Sequence, residues 1–190
     1  APDWNADVRP GDNLYSDSAI ALDPDTGELK WHFQFTPHDW WDWDAVQIPV
    51  LADIEFKGKQ RKVLLWGNRN AFFYVLDRET GEYLLGKTFA YQNWAVGLDE
   101  SGRPIVRDGM QPTPEGTKVY PSVQGATNWY APTYHPRTKL FYLAVWDRYA
   151  STYHRGDATY VRGARYPGSF PEGIYPDLVN DDETGFGSIR

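Results

Sequence analysis

Residues 36–44 read Thr-Pro-His-Asp-Trp-Trp-Asp-Trp-Asp, so three carboxylates and three indoles stand between His38 and Asp44. Burying an unpaired carboxylate beside apolar rings is costly, and such crowding calls for a compensating partner: a metal ion, a hydrogen-bond network or a substrate proton. If the segment is extended, Asp42 and Asp44 project from one face and Trp41 and Trp43 from the other. Two hard oxygen ligands would then meet one cation against an aromatic wall. A wet, tryptophan-rich loop whose acids face solvent accounts for the same residues.

The elements that must position this segment announce themselves as a repeat. Ala21-Leu22-Asp23-Pro24-Asp25-Thr26-Gly27-Glu28-Leu29-Lys30-Trp31 is followed, fifty-four residues on, by Val75-Leu76-Asp77-Arg78-Glu79-Thr80-Gly81-Glu82-Tyr83-Leu84-Leu85. Each copy has the form of a hairpin: the Asp accepts hydrogen bonds across the turn, the Gly supplies a positive φ, and strands resume on either side. The spacing suits one four-stranded blade with a long loop. Lys62–Trp66 and Ala71–Leu76 are strand-like runs flanking the turn Gly67-Asn68-Arg69-Asn70. Tyr134–Val145 has the pattern of a turn followed by a buried strand, and Arg148–Glu183 that of a long irregular excursion able to cover a site or meet a partner. Long windows of 3.6-residue period are missing. An all-β fold follows, a partial β-propeller, with a β-sandwich carrying two similar hairpins as the rival arrangement.

Composition narrows the function. The chain has 190 residues with 9 Trp, 13 Tyr, 9 Phe, 17 Gly and 14 Pro, a mixture that favours short strands and turns. A formal net charge of -7 argues against nucleic-acid binding, which needs a basic footprint. No apolar run approaches membrane-spanning length. With no cysteine, disulfides and thiolate metal sites are excluded. No signal-peptide pattern opens the chain, as expected of a sequence that begins inside a longer protein.

The Ala-x-Asp-x-x-Thr-Gly-x-x-x-Trp form at 21–31 resembles the tryptophan-docking motif of the eight-bladed quinoprotein dehydrogenases, and Pro37-His38-Asp39-Trp40-Trp41-Asp42 is similar to the signature of pyrroloquinoline quinone (PQQ)-dependent alcohol dehydrogenases. Trp4-Asn5 and Arg9-Pro10-Gly11-Asp12-Asn13 resemble the stretch before the first repeat in those enzymes, and the likeness runs in order to at least Asp147. It implies that Trp31 packs between neighbouring blades, more firmly than Leu85, which stands at the same place in the second copy. It also implies a fragment: residues 1–190 would form one partial propeller domain of about three blades out of about eight, cut at both ends, with Gly185–Arg190 leading into a further repeat.

By the same resemblance Asp42 is the catalytic base and a metal ligand, Arg69 holds the quinone oxygens, and Asn128 contacts the cofactor. Asp44 matches a position where lanthanide-using relatives carry Asp and calcium-using ones Ala, so a lanthanide is expected over calcium, because a trivalent hard cation rewards an added carboxylate. The remaining ligands would lie upstream of residue 1. The implied activity is oxidation of primary alcohols to aldehydes in the periplasm, with PQQ as cofactor and a cytochrome c as electron acceptor. A glucose-type sugar dehydrogenase of the same fold, or a non-catalytic propeller used for binding or assembly, are the alternatives. His38 and Asp39 are expected to hold the loop by hydrogen bonds, and Trp40, Trp41 and Trp43 either to wall the cavity or to pack between blades. His32, His135 and His154 show no metal-ligand spacing.

Overall fold

A computed structural model describes residues 2–176 and 188–189. Beyond one short 3-10 turn at Ala6–Val8, its regular structure is β throughout. β1 (Ser18–Leu22) and β2 (Leu29–Gln34) form the first hairpin. β3 (Val50–Phe56), β4 (Lys59–Gly67), β5 (Phe72–Asp77) and β6 (Tyr83–Thr88) form a four-stranded antiparallel meander in sequence order. β7 (Ala95–Leu98) pairs with β8 (Pro104–Val106). After β9 (Thr117–Val119) come the hairpin of β10 (Thr133–His135) with β11 (Leu140–Tyr142), then β12 (Ala144–Val145), β13 (Tyr149–Arg155) and β14 (Ser169–Pro176). β13 lies between β9 and β14, and β12 pairs with β15 (Ser188–Ile189).

The two repeat copies fold alike, for the reason their residues suggest. Asp23 Oδ1 accepts from the amides of Asp25 and Thr26 at 3.1 and 3.0 Å, and Asp77 Oδ1 from Glu79 and Thr80 at 2.9 and 3.2 Å. Gly27 and Gly81, at φ +73° and +77°, both return their amides to the carbonyl of that Asp at 2.8 Å. Even the register irregularity recurs, after Ala21 in one hairpin and after Val75 in the other.

The four-stranded sheet is packed on both faces, and strand alternation sorts its side chains between two cores. Leu64, Trp66, Phe72, Tyr74 and Leu76 join the core that holds Phe35, Trp41, Trp43 and Trp94. Val63, Leu65 and Val75 face the other way, toward Tyr134 and Phe141. A sheet covered on both sides by neighbouring sheets is what a propeller blade requires.

Two expectations are corrected. The tail is not irregular throughout, since β13 and β14 pair from Tyr149 with Pro176 to Arg155 with Ser169; its Gly, Pro and Arg residues concentrate in the connection between them. The strand at 140–145 is broken into β11 and β12, and Leu140 and Tyr142 are exposed instead of buried. The expected lead-in to a further repeat at 185–190 falls outside the described residues apart from β15.

Candidate active site

The segment 39–49 is a loop, not a strand. Asp42 has φ +64°, a left-handed conformation that costs a side-chain-bearing residue about 1–2 kcal/mol, so the extended geometry expected for 38–44 does not occur. What the left-handed residue achieves resembles alternation all the same. The rings of Trp41 and Trp43 stack at 4.7 Å, and Trp94 meets both edge-on at 5.1 and 5.2 Å. Both indoles are fully buried and donate to backbone, Trp41 to Met110 O at 3.2 Å and Trp43 to Ser122 O at 2.9 Å. They are packing residues and not cavity walls. Asp42 and Asp44 point away from them, into a common cleft of about 220 Å3 that Asp3, Arg9 and Asn13 also line.

Asp39 supports the loop from below. Its Oδ1 accepts from the Trp41 amide at 2.8 Å and its Oδ2 from the Trp43 amide at 2.6 Å. Burial nonetheless pushes its carboxyl up to about 6, the two amide bonds and Arg69 pulling the other way. His38 closes the near end, its Nδ1 2.6 Å from Gly11 O. Both make the loop-holding hydrogen bonds expected of them, and Asp39 also lines the cleft. Arg9, overlooked in the sequence, ties the loop to the N-terminal segment: Nη2 donates to Asp39 O at 2.7 Å, Nε to Pro2 O at 2.9 Å, and Nη1 to Asn13 Oδ1.

Asp42 is half-buried and its carboxylate accepts no hydrogen bond from any described residue. Burial chiefly, then the neighbouring Asp44 charge, pushes it up to about 7, with Arg69 opposing. Such a group is poised to take a proton or meet a cation near neutral pH. Asp44 is well exposed, and its Oδ2 lies 3.9 Å from Nη1 of Arg69.

Arg69 sits in the turn between β4 and β5 with its guanidinium buried. Nη2 donates to Val123 O, the Arg69 carbonyl accepts from the Ala126 amide at 2.9 Å, and Gly125 packs so closely that a Cβ there would stand 2.5 Å from Arg69 Cβ. Nε, however, is buried without a partner. A guanidinium N–H left without a partner, on a side chain whose Nη1 lies 3.9 Å from Asp44, is a donor that an oxygen-rich ligand would satisfy. The structure therefore brings together Asp42, Asp44 and Arg69. It does not join Asn128 to them by any hydrogen bond: its Nδ2 donates to Gln124 O at 2.8 Å and its Oδ1 accepts from the Trp129 amide at 2.9 Å, within its own turn. Among the described residues no three His, Asp or Glu side chains converge as a metal cage, so Asp42 and Asp44 supply at most part of one.

A larger open groove of about 600 Å3 lies among the β3–β4 hairpin and the β5–β6 turn. Its carboxylates are matched, Asp53 with Arg78, Asp77 with Arg61 and Glu79 with Lys62, and none is left poised for chemistry.

Asn68 and Asn70, on either side of Arg69, were legible only as turn residues, yet both are fully buried. Asn68 Nδ2 approaches Asp17 Oδ1 at 3.4 Å, and Asp17 is itself a buried carboxyl, with Oδ2 unpartnered, that burial raises well above the usual range. An Asp amid surface-type neighbours gave no signal of this.

Residues 1–87 match the family described as the β-propeller domain of PQQ-dependent glucose, ethanol and alcohol dehydrogenases. The chain is 40% identical over 190 residues to the quinoprotein alcohol dehydrogenase PedH of Pseudomonas putida, covering 96% of this chain and 31% of that protein. It is 46% identical over 147 residues to the quinohemoprotein alcohol dehydrogenase of Comamonas testosteroni, covering 74% and 20%. A solved europium-containing methanol dehydrogenase superposes with a TM-score of 0.78 at 36% identity, over 86% of this chain and 29% of that one. The chain thus spans less than a third of the length of these relatives. By sequence and by sheet packing, the chain belongs to the PQQ-dependent quinoprotein alcohol dehydrogenase family and holds part of its β-propeller.

Proposed function

We propose that this chain is one part of a PQQ-dependent dehydrogenase that oxidises primary alcohols to aldehydes, with Asp42 as the base that takes the hydroxyl proton. The observation that carries the reading is the Asp42 carboxyl, half-buried, without a hydrogen bond from any described residue and raised to about 7, in the same cleft as Asp44, whose carboxylate lies 3.9 Å from the buried Arg69. Bound PQQ with its metal would supply the hydride acceptor and a Lewis acid to polarise it. Arg69 would offer its free Nε–H and Nη1 to the acceptor's oxygens, stabilising negative charge in a low-dielectric setting. Asp42 would accept the proton from an alcohol oriented in the cleft, and Trp41 and Trp43 beneath it would keep water from the other side of the loop.

Asp42 and Asp44 would hold part of the metal, and the second carboxylate favours a lanthanide over calcium. Asn128 would contact the cofactor with the second lone pair of Oδ1 or with the second Nδ2–H, which approaches Gln124 Oε1 only at 3.5 Å. A periplasmic location and a cytochrome c acceptor go with this reading; among the described residues no helix is long and apolar enough to cross a membrane. A sugar substrate is the second reading, since the matching family includes glucose dehydrogenases, but the Pseudomonas putida and Comamonas testosteroni relatives are alcohol dehydrogenases.

The test is reconstitution of the full-length protein with PQQ and either calcium or a light lanthanide, followed by dye-linked oxidation of primary alcohols. Asp42→Ala should abolish turnover while the cofactor still binds. Undiminished oxidation by Asp42→Ala would remove it as the base.

A further inference from the structure

Arg69 and Asp42 stand 27 residues apart in the chain, on a turn and a loop that share no sheet. Arg69 and Asp44 touch only at 3.9 Å, too far to hold either segment in place. Something else must fix the spacing between the guanidinium and the carboxylates, and one fully buried residue bonds to both segments.

That residue is Asn70. Its Oδ1 accepts from the Phe72 amide at 3.0 Å, which anchors it to the start of β5. Its Nδ2 donates to Phe35 O at 3.1 Å and approaches Thr36 Oγ1 at 3.3 Å, so it grips the strand end that leads directly into the 38–44 loop. The main-chain carbonyl of Asn70 accepts from Trp94 Nε1 at 2.9 Å, a bond that truncation of the side chain leaves in place, and the Trp94 ring is the one that meets Trp41 and Trp43 edge-on. The residue next to Arg69 therefore holds the loop at its entry, through Phe35 and Thr36, and from beneath, through Trp94. A third acceptor, the Tyr74 hydroxyl at 3.1 Å, completes the amide without touching the loop. No other residue type of this size offers two amide donors and a carbonyl acceptor in one plane.

We propose that Asn70 is a positioning residue that locks the turn of Arg69 and the Asp39–Asp44 loop into one rigid unit, so that the buried guanidinium keeps a fixed separation from the Asp42 carboxylate in the cleft. This rests on the roles of Arg69 and Asp42 given above. Because each bond is buried, no water stands ready to replace one that is removed, and loss of the amide should loosen the loop and the turn together.

The experiment uses the full-length protein carrying Asn70→Ala, Thr36→Val or Tyr74→Phe. It measures cofactor affinity by fluorescence titration of the apoprotein, amide hydrogen exchange across 35–44 and 66–71, and the thermal midpoint. Asn70→Ala should weaken PQQ binding by about 10- to 100-fold and speed exchange in both segments. Thr36→Val, which removes the hydroxyl at the loop entry together with its bond to Asp17, should do the same to a smaller degree. It keeps the test open if Asn70→Ala does not fold. Tyr74→Phe should lower the thermal midpoint but leave PQQ affinity and exchange at 38–44 unchanged. Unaltered protection of 38–44, or unaltered affinity in folded Asn70→Ala and Thr36→Val, overturns the proposal. Arg69→Ala is run alongside. If it too leaves affinity unchanged, the functional reading has failed, and exchange alone decides the role of Asn70.

Discussion

The indole nitrogen of Trp31 donates to the carbonyl of Arg78 at 3.2 Å, joining the end of one repeat to the turn of the next. The ring lies over Gly81, whose missing side chain makes room: a Cβ there would stand 2.9 Å from the ring, on a backbone already at φ +77°. Docking between successive sheets thus needs a Trp from one copy and a Gly from the other.

Trp31→Ala should destabilise the protein by about 2–3 kcal/mol, somewhat less than loss of a fully buried Trp because the ring is half-exposed. Gly81→Val should cost a comparable amount by strain and overlap together. Urea unfolding monitored by circular dichroism checks both. A shift for Trp31→Ala below about 0.5 kcal/mol would mean that the contact does not hold the two sheets together.

Asp17 gives a pH signature. Burial raises its pKa, so the folded state prefers the neutral acid, and its contribution to stability is full below the ordinary carboxylate range near 4. That contribution is lost as pH rises through the raised folded value. Asp39 adds to the same trend, losing its share between about 4 and about 6. Asp17→Asn should therefore raise the unfolding midpoint at pH 8 and change it little at pH 4, with a gain of about 1–3 kcal/mol at the higher pH. Thermal melts at the two pH values decide the matter, and equal effects at both would refute it.

Gly125→Ala probes Arg69 without touching it chemically. At φ +78° and with the new methyl 2.5 Å from Arg69 Cβ, the substitution must move the arginine or the loop that carries Val123. About tenfold weaker cofactor binding is expected, by displacement of a supporting contact. Fluorescence titration of the full-length protein measures it.

Asp39→Ala removes the acceptors of two loop amides at once. A loss of about 2–4 kcal/mol is expected from the two abandoned N–H groups, with a red shift of tryptophan emission as Trp41 and Trp43 meet water. Unchanged emission would show that the indole stack holds the loop unaided.

Asp44→Ala leaves Asp42 and Arg69 in place and takes away the exposed carboxylate. Turnover with a lanthanide should fall by about 10- to 100-fold while turnover with calcium changes far less. Assays of the same preparation with each metal supply the ratio.

The sequence carried the repeat in full, because an Asx turn closed by Gly is local: Asp23 and Asp77 bond to residues two and three positions on. The acids of the site were legible too, since Asp42 and Asp44 stand out against their indole neighbours. The left-handed turn at Asp42 was not, because nothing in an Asp between two Trp residues announces a positive φ. Arg9 and Asn70 escaped for another reason. They act on partners 30 or more positions away, Asp39 for one and Phe35 and Thr36 for the other. The pairing of β13 with β14 was likewise hidden, a long connection rich in Gly and Arg having masked two good strand segments.

Asp42 sits between two stacked indoles whose amides share one carboxylate and whose ring nitrogens reach two different loops. The same two residues therefore set how firmly the protein folds and where its reactive oxygen points. Natural variation at 41 and 43 cannot tune one property while sparing the other, so changes in what the cleft admits must come from its rim, at a position such as the exposed Asp3.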